Sequence, residues 1–209
     1  MKEKKLLRFT ATASILFALL CIAWVALSLF FLPVSQGQDD YTFLILAPGW
    51  DSISAIGLLA SLFGVFSVAG IYAIHYNQKG FLFPVGTLLL LLGLLLEFGA
   101  LTWDTFVWPA LVTDDRGLAI IRENVFIESV QFWIFFIALL VFLLVGTIFF
   151  SIALWKSRVY GKMIPVLLVL GIILYVAGSA TVVYISSIGL TIYSLAFFFI
   201  GVKLNVVKA

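Results

Sequence analysis

Apolar residues run along this chain in long, nearly unbroken stretches, and the polar residues gather between them. A membrane barrel would instead show segments of about ten residues that alternate between apolar and polar. Within a bilayer, a continuous apolar run has to be helical, because a helix satisfies its own backbone hydrogen bonds. The hydrophobic pattern therefore predicts an all-α protein.

Six of the stretches are long enough to cross a hydrocarbon core of about 30 Å, which takes roughly 20 helical residues. They are predicted at residues 9–33, 53–75, 81–103, 129–155, 163–183 and 186–204. Spans five and six share a very short connection, which we place around Tyr184 to Gly189. No Pro-, Ser- or charge-rich linker divides the chain, so residues 1–209 are predicted to form a single six-helix transmembrane domain.

The composition agrees with a membrane protein. Hydrophobic residues make up 64% of the chain and charged residues 11%, with a mean hydropathy of +1.24. A soluble domain carries about 25% charged residues. The chain has too little polar surface to coat a globule in water, which excludes a soluble protein.

The basic residues indicate how the chain is threaded. Ten of the twelve Lys and Arg residues fall on one side of a six-span arrangement, and the other side has Arg116 and Arg122. The positive-inside rule therefore predicts that both termini are cytoplasmic. We interpret the basic face as an orientation signal that contacts lipid headgroups rather than nucleic acid.

The connection between spans three and four, residues 104–128, is long enough for structure of its own. Thr113 is suited to be a helix N-cap, with Asp114 and Asp115 in the first turn, where the helix dipole favours acids. The sequence thus predicts a short outer helix between these spans. Whether it continues into span four is left open.

One acid, Glu97, lies inside the apolar run of span three. Steps of three and four residues place it on a stripe with Gly86, Gly93, Ala100 and Asp104. Small residues let a neighbouring helix approach closely, so this stripe is expected to face protein. At 1.5 Å per residue, Glu97 lies about 24 Å along the span, in the outer-leaflet zone.

Other polar and aromatic residues are expected near the same external mouth. Span two offers a matching face of small residues, which are Gly57, Ala60, Ser61, Gly64 and Ser67. The ends of the spans bring further acids and an amide to this level, together with indoles, which favour the membrane interface. The candidate ligand-binding residues are Glu97, Asp104, Asp51, Glu128, Gln131, Trp103 and Trp108. Trp24 and Trp133 lie deeper, where they either line a cavity or fill the bundle.

An ionisable residue inside a span is a functional-site hypothesis by default. We favour a non-enzymatic protein that binds a lipid or small amphiphile, or a partner membrane subunit, through an acid-lined outer-leaflet pocket. The alternative is a small solute, cation or proton-linked transporter or channel. It ranks second because transporters carry polar residues near the midplane, whereas here small hydroxyls such as Ser61 and Thr147 stand there. A purely structural role, through interhelical hydrogen bonds or a pair with Arg116 or Arg122, stays open.

Enzyme chemistry has little support in the sequence. The single histidine, His75, suits a capping or interfacial position, and one histidine is too few for paired haem ligation or a zinc site. The sequence contains no HExxH, GxSxG or P-loop motif and no cysteine cluster. We therefore predict no enzymatic activity, no cofactor and no metal.

Two segments begin alike. GFLFPV from Gly80 and GKMIPV from Gly161 each open a span after a basic turn, which suggests a duplicated hairpin. The simpler interpretation is that proline suits a first helical turn. WDTFVWPAL (Trp103–Leu111) and LWKSRVYGKMIPVLL (Leu154–Leu168) resemble segments of uncharacterised small multipass inner-membrane proteins of bacteria. That resemblance implies a bacterial inner (plasma) membrane and no particular activity.

Overall fold

The computed structural model describes residues 2–33, 44–77, 80–123, 129–179 and 182–206, and these residues contain no strand. The helices are α1 (Lys2–Phe31), α2 (Trp50–His75), α3 (Leu82–Thr102), α4 (Trp108–Leu111), α5 (Asp115–Arg122), α6 (Val130–Ser157), α7 (Met163–Ser179) and α8 (Val183–Val206). A π-helical turn, Trp103–Val107, joins α3 to α4. The prediction of an all-α fold is confirmed for this part of the chain.

Five helical stretches are long and apolar enough to cross a membrane. One of them is 30 residues long and consists of α3, the π-helical turn and α4. The sixth apolar helix, α7, has 17 residues, or about 25 Å at the usual helical rise. Large apolar side chains such as Leu88, Leu95 and Ile137 stand exposed on the outside of the bundle. The protein is therefore a multi-pass helical bundle of the membrane type.

The six long helices form a closed ring in chain order, because each contacts the next and α8 returns to contact α1. Glycine contacts show that ring neighbours run antiparallel. Gly86 of α3 lies against Phe150 of α6, whereas Gly146, earlier in α6, lies against Leu90. The first residues of α1 and the last of α8 consequently share one end of the ring, here called the terminal end. The opposite end is called the distal end.

The packing depends on the small residues that the sequence pattern singled out. Gly86 and Gly93 of α3 face α6, as the predicted stripe requires. On α2, the small-residue face is buried throughout. Gly57 lies between Trp24 of α1 and Leu101 of α3, so this face packs against both neighbours of α2 rather than against α3 alone.

A second hydrophobic cluster covers the distal end of the ring. Its buried members are Leu32, Ile45, Trp50, Ile53, Trp108 and Ile121. The short helix α5 contributes to this cluster because its buried residues, Gly117 and Ile121, lie four apart on one face. A short outer helix was predicted between spans three and four, and α5 lies at this place in the chain. Its outer position stays a prediction.

Several predicted boundaries are wrong. The connection expected around Tyr184 to Gly189 lies inside α8, which begins at Val183, because Gly189 packs closely against Tyr175 of α7 as a helical residue. The N-cap of α5 is Asp114 and not Thr113, whose hydroxyl donates to the Ala110 carbonyl instead. α5 does not continue into α6, since Ser129 has extended backbone and caps α6 by accepting from Phe132 N.

The two similar segments adopt similar local structures. Gly80 and Gly161 both have a positive φ, of 130° and 73°. Glycine adopts a positive φ without steric cost, so it suits the turn before each helix. α3 and α7 each begin two residues later, and Pro84 and Pro165 are the third residue of their helices. A free N–H is not needed in a first turn, so proline fits there.

Candidate functional site

A cavity of about 40 Å³ lies on the axis of the ring, in its distal half, and all six long helices contribute to its wall. It is lined by Phe17, Cys21, Trp24, Gly57, Ala60, Ser61, Leu94, Glu97, Leu101, Leu143, Ile172, Tyr175, Leu190 and Tyr193. Glu97 is the one acidic residue among the described residues of this wall. We call this space the axial cavity.

Glu97 has a hydrogen bond with a phenol of α7, which is separated from α3 in the ring by α6. The Tyr175 hydroxyl of α7 donates to Oε1 of Glu97 over 3.4 Å, which is longer than the usual 2.5–3.0 Å of an O–H···O bond. Glu97 therefore has one weak hydrogen bond and partial exposure.

Aromatic rings form much of the remaining wall. Phe17 makes edge-to-face contact with Phe197 at 4.8 Å between ring centroids and with Tyr193 at 6.3 Å. The Tyr193 hydroxyl lies 3.3 Å from Oγ1 of Thr147. Trp24 lines the cavity, in agreement with the deeper position expected for it. Trp133, the other tryptophan considered, is 50% exposed and is not part of the wall.

The other predicted site residues lie elsewhere. Asp51 is exposed and accepts from the backbone N–H of Ser52 in its own helix. Gln131 is exposed at the start of α6, and Trp103 is 44% exposed. Trp108 is buried in the distal cluster, and Glu128 lies outside the described residues. Of the predicted residues that the structure describes, Glu97 is the one that lines the axial cavity.

Asp104 lies in the π-helical turn beyond the cavity. In a π turn a backbone N–H donates to the carbonyl five residues earlier, as Trp108 N does to Trp103 O. Nearby carbonyls can therefore accept hydrogen bonds from other donors. The indole Nε1 of Trp50 donates to Asp104 O over 2.9 Å. This bond joins the start of α2 to the π-helical turn after α3, on the distal side of the axial cavity.

Sequence reasoning missed Tyr175, Tyr193 and Cys21 as wall residues. All three lie in apolar runs, where a tyrosine or cysteine is indistinguishable from core filler without the positions of neighbouring helices. A usable signal was present in the tyrosines, since a buried phenol generally requires a hydrogen-bond partner.

Other buried hydroxyls lie nearer the terminal end than the axial cavity does. Ser14 and Ser67 share a hydrogen bond of 2.6 Å between α1 and α2. Thr87 Oγ1 and Ser151 Oγ, farther along, are buried with no partner among the described residues.

A hydrogen bond near the terminal end joins α2 to the connection between α6 and α7. Nε2 of His75 lies 2.8 Å from the hydroxyl of Tyr160. Burial raises the pKa of the Tyr160 phenol well above its ordinary value, so this hydroxyl keeps its proton. His75 is the last residue of α2, and its interfacial position stays a prediction.

This arrangement can hold a small polar group against one carboxylate and one phenol, with apolar and aromatic surfaces around it. No group of three His, Cys, Asp or Glu side chains that could hold a metal ion occurs among the residues that the structure describes. The chain matches no protein-family model, no curated protein and no solved structure.

Proposed function

We propose that this chain is a six-span membrane protein without enzymatic activity, and that it binds a small amphiphile or lipid in its distal half. Six spans are supported by the antiparallel ring, in which α7 occupies a full position between α6 and α8. The described basic residues at the terminal end, Lys4, Lys5, Arg8, Lys156, Arg158, Lys162 and Lys203, support a cytoplasmic location for that end. The short helix α5 is then external.

The observation that carries the binding proposal is the axial cavity. A pocket with mostly apolar walls and a few convergent polar groups is the usual form of a small-molecule site. Glu97 supplies negative charge or a hydrogen-bond acceptor, and Phe17, Trp24 and Tyr193 supply aromatic surfaces. Both features favour a ligand whose head is an amine or another cation.

The distal third of α6 offers a route into the cavity from the bilayer. None of residues 130–138 is buried, and the buried residues of α6 begin at Leu139. The cavity in its present form has room for about three water molecules by volume. An amphiphile therefore enters by displacing this loosely packed part of α6. The same unburied segment suits a partner membrane subunit, which is the other form of the binding proposal.

Proton or small-cation transport is the second candidate, favoured by two observations. The axial cavity is of a size to hold water molecules, and the buried hydroxyls from Ser14 to Ser151 lie nearer the terminal end than it does. Both functions use Glu97, but they differ in what crosses the membrane.

The proposal is tested with the full chain in nanodiscs, using dodecylammonium as the probe and dodecanol as its uncharged match. Dodecylammonium is expected to raise the unfolding temperature of the wild type and to quench tryptophan fluorescence, and Glu97→Leu is expected to abolish both effects. Asp51→Asn, which removes an exposed distal acid outside the cavity, serves as the control and leaves them intact. If neither amphiphile binds and Glu97→Leu abolishes a proton or sodium flux in proteoliposomes, transport replaces this proposal.

A further inference from the structure

A second and larger cavity, of about 330 Å³, lies at the terminal end between the start of α3 and the end of α6. Its wall includes Gly80, Phe81, Phe83, Ala153, Lys156 and Ser157. None of these residues lines the axial cavity. We call this space the basal cavity.

Among the residues that the structure describes, Lys156 is the one charged residue in the wall of the basal cavity. It is exposed at the end of α6, where a lysine chain can extend toward the water–lipid boundary while its ammonium stays hydrated. The Ser157 hydroxyl is already engaged, because it donates to the Leu154 carbonyl over 2.7 Å. Lys156 therefore supplies the positive charge of the described part of the wall.

Apart from Lys156 and Ser157, the described wall consists of apolar residues and one glycine. Phe81 is 72% exposed at the rim of the cavity. Toward the distal end, Leu88 of α3 and Ile152 of α6 are also exposed on the same two helices. A ligand that fits this surface carries a negative charge at the level of Lys156 and an apolar chain that extends along the bundle.

We propose that the basal cavity binds the phosphate headgroup of an anionic membrane lipid. Lys156 Nζ pairs with the phosphate, and the acyl chains lie along the exposed apolar surfaces of α3 and α6. A basic pocket between membrane helices is a chemically suitable seat for such a headgroup. The lipid class is anionic rather than zwitterionic, because a choline group would bring a second positive charge next to Lys156. This site does not depend on ligand binding at Glu97.

The test uses the full chain in nanodiscs of equal parts phosphatidylcholine and phosphatidylglycerol, from which it is released into mild detergent for native mass spectrometry. The wild type is expected to retain phosphatidylglycerol in preference to phosphatidylcholine. Lys156→Gln lowers the retained phosphatidylglycerol about fivefold, the effect of one lysine near an anionic surface. Lys156→Arg preserves the retention because the positive charge remains.

Lys203→Gln is the matched control, since Lys203 is an exposed lysine of the terminal end outside the basal cavity. It leaves retention unchanged if the cavity is the site. Equal losses in Lys156→Gln and Lys203→Gln would overturn the proposal in favour of a diffuse surface charge. Displacement of the lipid by millimolar inorganic phosphate would show a free-phosphate site and would also overturn it. An unchanged unfolding temperature of Lys156→Gln shows that a loss of lipid is not a loss of fold.

Discussion

The Tyr175 hydroxyl donates to Oε1 of Glu97 between α7 and α3, two helices that are not neighbours in the ring. The bond therefore passes the inner side of α6 within the ring, and both of its residues line the axial cavity. Its length of 3.4 Å indicates a weak interaction that a better partner for Glu97 can replace. The relationship suits a binding site more than a packing contact.

Replacing Tyr175 by Phe tests this distinction. Because the bond is long, Tyr175→Phe is expected to lower the free energy of unfolding in detergent by only about 0.5 kcal/mol, near the average for hydrogen bonds between membrane helices. Glu97→Leu is expected to cost about 1–2 kcal/mol, because it leaves the Tyr175 hydroxyl without its acceptor between the helices. Tyr184→Phe, at a tyrosine 53% exposed, serves as the control. A loss in Tyr175→Phe as large as that in Glu97→Leu would make the pair a packing device.

Two glycines of α3 give opposite expectations for the same substitution. A methyl group at Gly86 would lie 2.5 Å from the backbone N of Phe150, whereas one at Gly99 would meet nothing within 4 Å. Gly86→Ala is expected to destabilise the bundle by about 1–3 kcal/mol because α3 and α6 must separate. Gly99→Ala is expected to be neutral or to stabilise by up to about 1 kcal/mol through helix propensity. Unfolding titrations in mixed detergent compare the two, and equal effects would contradict the close approach.

The Trp50 indole is expected to hold the distal end in place. Trp50→Phe removes the donor to Asp104 O and reduces the volume of the distal cluster. Amide exchange is therefore expected to increase across residues 103–123, while the core of α6 stays protected, because local opening involves the elements that lose contacts. Trp133→Phe, at an exposed tryptophan, should leave the exchange pattern unchanged. Faster exchange throughout the chain would show that Trp50 stabilises the whole bundle instead.

The Tyr160 phenol provides a pH-dependent prediction. Burial raises its pKa in the folded protein, so the unfolded chain releases this proton first, near pH 10. Its contribution to stability is complete below about pH 10 and is lost as the pH rises above that value. Melting temperatures measured at neutral and alkaline pH should fall more for the wild type than for Tyr160→Phe.

The same variant also loses the hydrogen bond to His75, which should lower stability at neutral pH by about 1 kcal/mol. Tyr76→Phe, at a neighbouring tyrosine 66% exposed, controls for a phenol that water already solvates. If Tyr160→Phe and the wild type respond identically to alkaline pH, the buried position of Tyr160 is wrong.

The six-span topology is accessible to labelling. Cys21 is the single cysteine of the chain, so Cys21→Ala provides a background free of thiols. Ala119→Cys in α5 and Val159→Cys in the connection after α6, both exposed, should react with an impermeant thiol reagent from opposite sides of the membrane. Ala119→Cys is expected to react from outside. Labelling of both variants from one side would show that α6 does not cross the membrane.

The sequence by itself determined the helical class, the membrane type of composition and the position of most helices. Long apolar runs leave a chain no other way to satisfy its backbone in hydrocarbon. The pattern of small residues around Gly86 and Gly93 also identified a helix-facing stripe, since only glycine and similar residues permit such proximity. The distance of Glu97 along its helix followed from the constant rise of a helix.

Only the tertiary structure decided which of the candidate polar residues share a site. The closed ring and its register determine that Glu97 meets Tyr175, while Asp51 and Gln131 stay exposed. The position of a residue along its helix can be counted from the sequence. The groups that its side chain contacts depend on how every neighbouring helix is placed and rotated. The boundary between α7 and α8 was mistaken for the same reason: Ser186 and Gly189 have the composition of a turn, and contacts with Gly178 and Tyr175 make them interior residues of a helix.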